Sequence, residues 1–142
     1  MFNKESIVAT LRSRGMRLTP QRLAVLDALG ELRYAHPTAD TVAKRVAEKV
    51  SGVSLSTIYK TLNELADLGL LRRVQIDGTT RFDPNVHMHA HLKCTDCNDV
   101  VDIDLPAGVA EALPSVESRY GVRIETASFD YTGACPKCVG AA

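Results

Sequence analysis

Apolar side chains recur at helical spacing four times before residue 70. Residues 4–14 place Ile7, Val8 and Leu11 on one side, which predicts a first amphipathic helix. Thr19-Pro20 then reads as a side-chain cap followed by proline at the first helical position, with Leu23, Val25, Leu26 and Leu29 as the stripe behind it. A third helix is predicted from Thr38, just after Pro37, burying Val42, Ala43, Val46 and Val50. The fourth runs from about Ser54 to Leu68. Its apolar face is Leu55, Ile58, Leu62 and Leu65, its polar face Ser56, Thr57, Tyr59, Lys60 and Asn63, and Gly69 its stop.

The period then shortens. Two strand-like runs, Leu70–Gln75 and Arg81–Asp83, flank Asp77-Gly78, a strong hairpin signal. Helices followed by a hairpin predict a winged helix, with the fourth helix as the DNA reader. Pro84-Asn85 punctuates the chain and sets the expected domain boundary, with a winged-helix DNA-binding domain over 1–84 and a second domain over 85–142. In the second domain the runs HLKCTDC, VVDIDL and VRIETASFDYTG look strand-like and residues 106–119 helical. The expected class is α+β, a winged helix joined to an α/β dimerisation-type domain.

With 142 residues, the chain is long enough for two small domains. No apolar run nears membrane-helix length, and MFNKESIVATLRSRG lacks the pattern of a secretory signal, so a cytoplasmic location is the default expectation. Net charge is zero, but it is unevenly spread. Residues 1–84 hold 13 basic against 9 acidic side chains and residues 85–142 hold 4 against 8. The local excess matters for phosphate binding, and it falls on the predicted winged helix.

All four cysteines lie in the second half, as Cys94-x-x-Cys97 and Cys135-x-x-Cys138. Each pair can aim two thiolates from one turn at a single ion, and two turns complete a tetrahedron, the geometry of a structural Zn²⁺ site with no open position for water. Redox or disulfide chemistry and a rubredoxin-like iron site are the alternatives; a reducing compartment favours the metal.

Three of the four histidines crowd into His87-Met88-His89-Ala90-His91, immediately before Cys94. In an extended segment alternate residues share a side, so these imidazoles can converge. His36 and Asp83 lie upstream and Asp102 downstream. Imidazole with carboxylate suits Fe²⁺, Mn²⁺ or Zn²⁺; a polar linker with ordinary surface aspartates is the competing interpretation.

Read in order, GMRLTPQR, AHPTADTVAKRV, VSLSTIYKTLNELADLGLLRR, TTRFD, HMHAHLKCTDC and CPKC resemble the ferric uptake regulator family over nearly the whole chain. The resemblance implies a homodimeric repressor of operator DNA, with a zinc site at Cys94, Cys97, Cys135 and Cys138. It also implies a regulatory metal site at His36, Asp83, His89, His91 and Asp102, whose occupation favours the DNA-competent arrangement. Aspartate at 83 and 102 is similar to the peroxide-sensing branch, in which iron-catalysed oxidation falls on ligand histidines, here His36 and His89. Mn²⁺ would fill that site without the redox step. Iron sensing without a peroxide response is the alternative, with zinc or manganese sensing behind it. A further metal site of many relatives is expected to be absent, since Met88, Ala90 and Ala127 stand where its ligands would be. His87 is left without a role.

For DNA, the polar face offers Ser56, Thr57 and Tyr59 for bases and Lys60 for phosphate. Arg22 and Arg72 are further phosphate candidates, and Arg17 resembles a family position that reaches an A·T-rich minor groove; the expected operator is an A·T-rich palindrome. A zinc hydrolase would need an open metal position and a general base, and no H-E-x-x-H pattern occurs. A zinc-ribbon RNA binder would need stacking aromatics, which make up only 5% of the chain.

Overall fold

The computed structural model describes residues 2–33 and 35–140, and these form two compact units, 1–86 and 87–142. In the first unit, four helices precede a two-stranded hairpin: α1 Lys4–Ser13, α2 Pro20–Glu31, α3 Ala39–Ala47, α4 Leu55–Asp67, β1 Arg72–Ile76 and β2 Thr79–Asp83. Each helix starts on a side chain that accepts a backbone N–H from its first turn: Asn3 from Ser6, Thr19 from Arg22, Thr38 from Thr41 and Ser54 from Thr57. Such caps satisfy donors that would otherwise be orphaned, at about 1 kcal/mol each.

Leu11, Val25, Leu29, Val42, Ile58 and Leu62 meet in one apolar core, which Leu71 and Phe82 of the hairpin region close. Burying each of the larger side chains contributes roughly 1.5–3 kcal/mol. Leu55 does not join them. It is the first residue of α4 and is 42% exposed, whereas Thr61 is buried on the core side. The apolar face predicted to begin at Leu55 begins instead one turn later, at Ile58.

The hairpin pairs antiparallel from Arg72↔Asp83 to Ile76↔Thr79. Asp77 and Gly78 both take positive φ, 53° and 73°, as a two-residue turn matched to strand twist requires.

The second unit is a three-stranded sheet in the order β4-β3-β5, with β3 Ala90–Cys94, β4 Val100–Ile103 and β5 Phe129–Gly133. β3 runs antiparallel to β4 and parallel to β5. Among its described residues, helix is found in a 3₁₀ turn at Ala110–Ala112 and in α5 at Leu113–Tyr120, so the helix expected over 106–119 starts late. Pro114, helix-compatible only in the first turn, fixes that start. Of the strand-like run 122–133, only Phe129–Gly133 pairs; residues 122–128 carry β-branched side chains but find no ladder partner among the described residues.

Apolar burial in this unit is slight. Among its described residues the buried apolar side chains are Ala90, Cys94 and Cys135, and α5 buries none. Val116, Tyr120, Val122 and Tyr131 are all more than 40% exposed. A unit of this size cannot stand on that core alone. No described helix is long and apolar enough to cross a membrane.

Candidate metal centres and DNA-facing surface

Two turns bring the four thiols together. After β3, Asn98 N–H returns to Cys94 O (3.0 Å) and Cys94 N–H bonds Asp99 O (2.8 Å), with Asn98 at φ 63°. At the other end, Cys138 and Val139 N–H both bond Cys135 O, each at 2.9 Å. Cys94 sits opposite Gly133 in the parallel ladder, and Thr95 N–H bonds Gly133 O, so the sheet itself holds the turns side by side.

One sulfur of each cysteine lies within 4.8 Å of the others, and Cys97 Sγ is 3.7 Å from Cys135 Sγ. Disulfide bonding needs about 2.05 Å. Ligands about 2.3 Å from a tetrahedral zinc stand about 3.8 Å apart, so the spacing fits a metal. Backbone N–H groups favour thiolate here. Hydrogen bonds from the Cys97 and Cys135 amides bring Cys94 down to about 6, the Cys135 amide lying 3.3 Å from its sulfur. Cys138 is pushed up to about 12 by its bond with Cys135, by burial and by the other thiols. Four thiols this close cannot all ionise unless a cation compensates them.

On the other side of β3 the chemistry changes. Alternation sends His89 and His91 to the side opposite Cys94. Asp102 is the direct cross-strand partner of His91. His89 Nε2 and His91 Nε2 are 3.0 Å apart, and each is 3.2–3.4 Å from Asp102 Oδ1. Ligand atoms about 2.0–2.2 Å from one ion stand about 2.9–3.5 Å from each other, so these three atoms have the spacing of one face of a coordination shell. His89 Nδ1 lies 2.6 Å from His87 O. With the proton on Nδ1, the imidazole donates to that carbonyl and its Nε2 lone pair faces the cluster, the orientation metal ligation needs. His87 thus acts through its backbone.

Within the first unit, His36 and Asp83 form a second pair, with Nε2 3.7 Å from Oδ2 and both side chains buried. His36 adopts φ 47°. A left-handed non-glycine residue costs about 1–2 kcal/mol and persists only where the surroundings hold it. Pro37 follows directly, and Phe82 N–H donates to Pro37 O at 2.9 Å.

The polar face of α4 lies open: Ser56, Thr57, Tyr59 and Lys60 are all exposed. Ser54 Oγ lies 3.0 Å from Ser56 Oγ and 2.9 Å from Thr57 Oγ1, which gathers hydroxyls at the positive end of the helix dipole. A cleft of about 390 Å³ beside it is lined by Arg17, Arg22, Thr57, Lys60 and Glu64 among others. Arg17 is exposed there, but Arg22 is engaged, donating Nη2 to Glu64 (2.9 Å) and Nη1 to Arg17 O (2.6 Å). Arg72 opens β1 opposite Asp83, at the base of the wing rather than its tip.

Sequence reasoning passed over Arg73 and Arg81. Arg73 bonds Asn63 Oδ1 (2.9 Å), Asn63 O (3.2 Å) and Asp67 (2.7 Å) on α4. Arg81 bonds His36 O (3.3 Å). Nothing in a run such as LLRR separates an anchoring arginine from a solvated one.

Helices with a wing hairpin, followed by a mixed sheet bearing a four-cysteine cluster, define a metal-dependent regulator of transcription rather than an enzyme. The sequence profile of the ferric uptake regulator family matches residues 13–132, and the chain belongs to that family. It is 37% identical over 103 residues to the peroxide-responsive repressor PerR of Staphylococcus epidermidis, covering 72% of this chain and 68% of the relative. The Campylobacter jejuni peroxide stress regulator superposes with a TM-score of 0.69 at 28% identity, over 92% of this chain and 98% of that one. The Vibrio cholerae ferric uptake regulator does so with 0.68 at 26% identity, over 89% and 98%. Regulators of this family bind operator DNA as dimers.

Proposed function

We propose that this chain is a peroxide-responsive, metal-dependent repressor that binds operator DNA as a homodimer. Residues 1–84 serve as the DNA-binding domain and 85–142 as the dimerisation domain, with Val116, Tyr120 and Tyr131 available to a second copy. Structural Zn²⁺ is held by Cys94, Cys97, Cys135 and Cys138. The regulatory ion, Fe²⁺ or Mn²⁺, takes His36, Asp83, His89, His91 and Asp102 as its ligands. Ser56, Thr57, Tyr59, Lys60 and Arg17 face an A·T-rich palindrome, with Arg22 and Arg72 as flanking contacts, and the protein works where its DNA is, in the cytoplasm.

The carrying observation is the His89–His91–Asp102 face, an imidazole and carboxylate set separate from the thiols. Such a set suits Fe²⁺ and Mn²⁺ better than a thiolate site does. Ligands drawn from both halves of the chain make ion binding a bias on domain arrangement, since an ion stabilises whichever state presents all five. Fe²⁺ held by these five residues would supply one-electron reduction of peroxide, giving hydroxide and a hydroxyl-level oxidant beside the ligands. His36 and His89 are the side chains we assign to oxidation, following the family resemblance; an oxygenated imidazole would be a poorer ligand, and the DNA-competent state would be lost. Aspartate at 83 and 102, and the similarity to PerR repressors, favour this reading over an iron-responsive repressor.

The test is peroxide treatment of Fe²⁺-loaded and Mn²⁺-loaded protein, followed by peptide mass spectrometry and DNA binding. Addition of one oxygen to His36 or His89 in the iron form alone, with loss of DNA binding, is the expected result. Release of DNA with those peptides unmodified would sink peroxide sensing, and release on iron removal alone would favour the iron-responsive reading.

A further inference from the structure

Three successive residues at the end of the wing strand all reach the segment that carries His36. Arg81 Nη1 donates to His36 O at 3.3 Å, Phe82 N–H donates to Pro37 O at 2.9 Å, and Asp83 Oδ2 stands 3.7 Å from His36 Nε2. Arg81 Nε is buried without a hydrogen-bond partner. Leaving a guanidinium N–H unsatisfied is costly, so this arginine is not simply seeking its best-solvated position. It spends its bond on the carbonyl of a residue in a strained left-handed conformation.

The same strand continues the connection. Phe82 is the cross-strand partner of Arg73, and Arg73 grips the C-terminal half of α4 through Asn63 and Asp67. His36 is thereby joined to the recognition helix by contiguous bonds: the His36 and Pro37 carbonyls, β2, β1, then Arg73 onto α4. All of these lie within the first unit.

We propose that the winged-helix unit contains its own coupling device, in which Arg81 and Arg73 are positioning residues that transmit metal binding at His36 and Asp83 to the pose of the wing against α4. This rests on the reading of His36 and Asp83 as regulatory ligands, and it adds a route that requires no change between domains. Neither arginine need touch the ion or the base edges. An ion that fixes His36 relative to Asp83 selects one seating of β2, and Arg73 carries that seating to Asn63 and Asp67.

The test uses full-length zinc-loaded protein, with Mn²⁺ as the probe. Three quantities are read: Mn²⁺ affinity, the ratio of operator affinity with saturating Mn²⁺ to that without, and amide hydrogen exchange at residues 79–83 in the absence of Mn²⁺. Arg81→Ala should cut the Mn²⁺-induced gain in operator affinity about tenfold, a typical size for coupling between sites. It should also remove protection at the Phe82 amide, with zinc content and helicity unchanged. Arg81→Lys, which can still donate to the His36 carbonyl, should restore most of both. Arg73→Ala should reduce the same ratio, and the double variant should lose no more than the larger single loss, since both sit on one route. A wild-type ratio in Arg81→Ala, unchanged Phe82 protection, or fully additive losses would overturn the proposal. Should the wild type itself gain no operator affinity from Mn²⁺, the metal-dependent reading fails instead; the exchange arm still reports whether Arg81 anchors the wing.

Discussion

Asp102 lies directly across the β3–β4 ladder from His91, its Oδ1 3.4 Å from the imidazole Nε2. Register creates this proximity. Because side chains alternate along a strand, slipping the pairing by one residue would send Asp102 to the face that carries Cys94. One strand thus carries two ligand chemistries, thiol at its end on one side and imidazole with carboxylate on the other, a separation that would suit two ions of different hardness.

Asp102→Asn keeps the shape of the side chain and removes its charge. Mn²⁺ affinity should fall on the order of 10–100-fold or more, as for losses of groups that support a metal site. Zinc content should not change. Titration of zinc-loaded variant and wild type with Mn²⁺ decides this, and equal affinities would remove Asp102 from the ligand set.

Loss of the thiol cluster should act on structure. Among its described residues the second unit buries no apolar side chain besides Ala90, Cys94 and Cys135, so a metal at the thiols would stand in for a core. Cys97→Ser should abolish zinc retention and dissolve the β3–β4–β5 sheet, while the helices of the first unit, which have their own core, keep their circular-dichroism signal. A zinc-free variant with its sheet amides still protected from exchange would show that the ion is not structural.

Local chemistry made much of this architecture legible in the chain. Thr19, Thr38 and Ser54 cap helices where a hydroxyl precedes an apolar stripe, and Asp77-Gly78 turns the hairpin because both residues accept positive φ. The second unit was harder to read. Residues 122–128 have strand-forming side chains, but a strand exists only where a partner edge is free, and no local pattern states that. Leu55 matched the helical period of α4 and still lies exposed, since periodicity alone does not show which turns of a helix find a packing partner. For the candidate site, the histidine cluster was visible, but the His91↔Asp102 register and the reach of Arg81 to His36 depend on tertiary pairing.

Glu31 offers a pH test of how the helices of the first unit are tied. It accepts from Lys49 and, at 2.6 Å, from Arg45, and these bonds hold its carboxyl below the usual 4.5, that of Lys49 acting most. A lowered folded-state value adds stability that is fully present above about 4.5 and lost as pH falls through the lowered value. Glu31→Gln should therefore melt below the wild type at neutral pH and converge with it in acid. The three side chains are 36–40% exposed, so the gap should be modest and shrink in high salt. A constant gap across that pH range would mean Glu31 acts through packing.

Salt dependence separates the proposed roles on α4. Lys60 is exposed on the polar face beside the cleft lined by Arg17, whereas Tyr59 presents a ring that is 42% exposed. If Lys60 meets a phosphate, Lys60→Ala should weaken binding to operator and unrelated DNA alike and reduce the slope of log affinity against log salt by about 0.9, one contact's share of released counterions. Tyr59→Ala should leave the slope unchanged and lower the preference for operator over unrelated DNA, by about 1–3 kcal/mol if its ring reads a base. Operator binding at several salt concentrations, with Mn²⁺ saturating, measures both. Arg22 supplies a further arm: Glu64 offsets part of its charge, so Glu64→Gln should free the guanidinium for phosphate and steepen the slope. Identical slopes in all four proteins would place the phosphate contacts elsewhere than on this cleft.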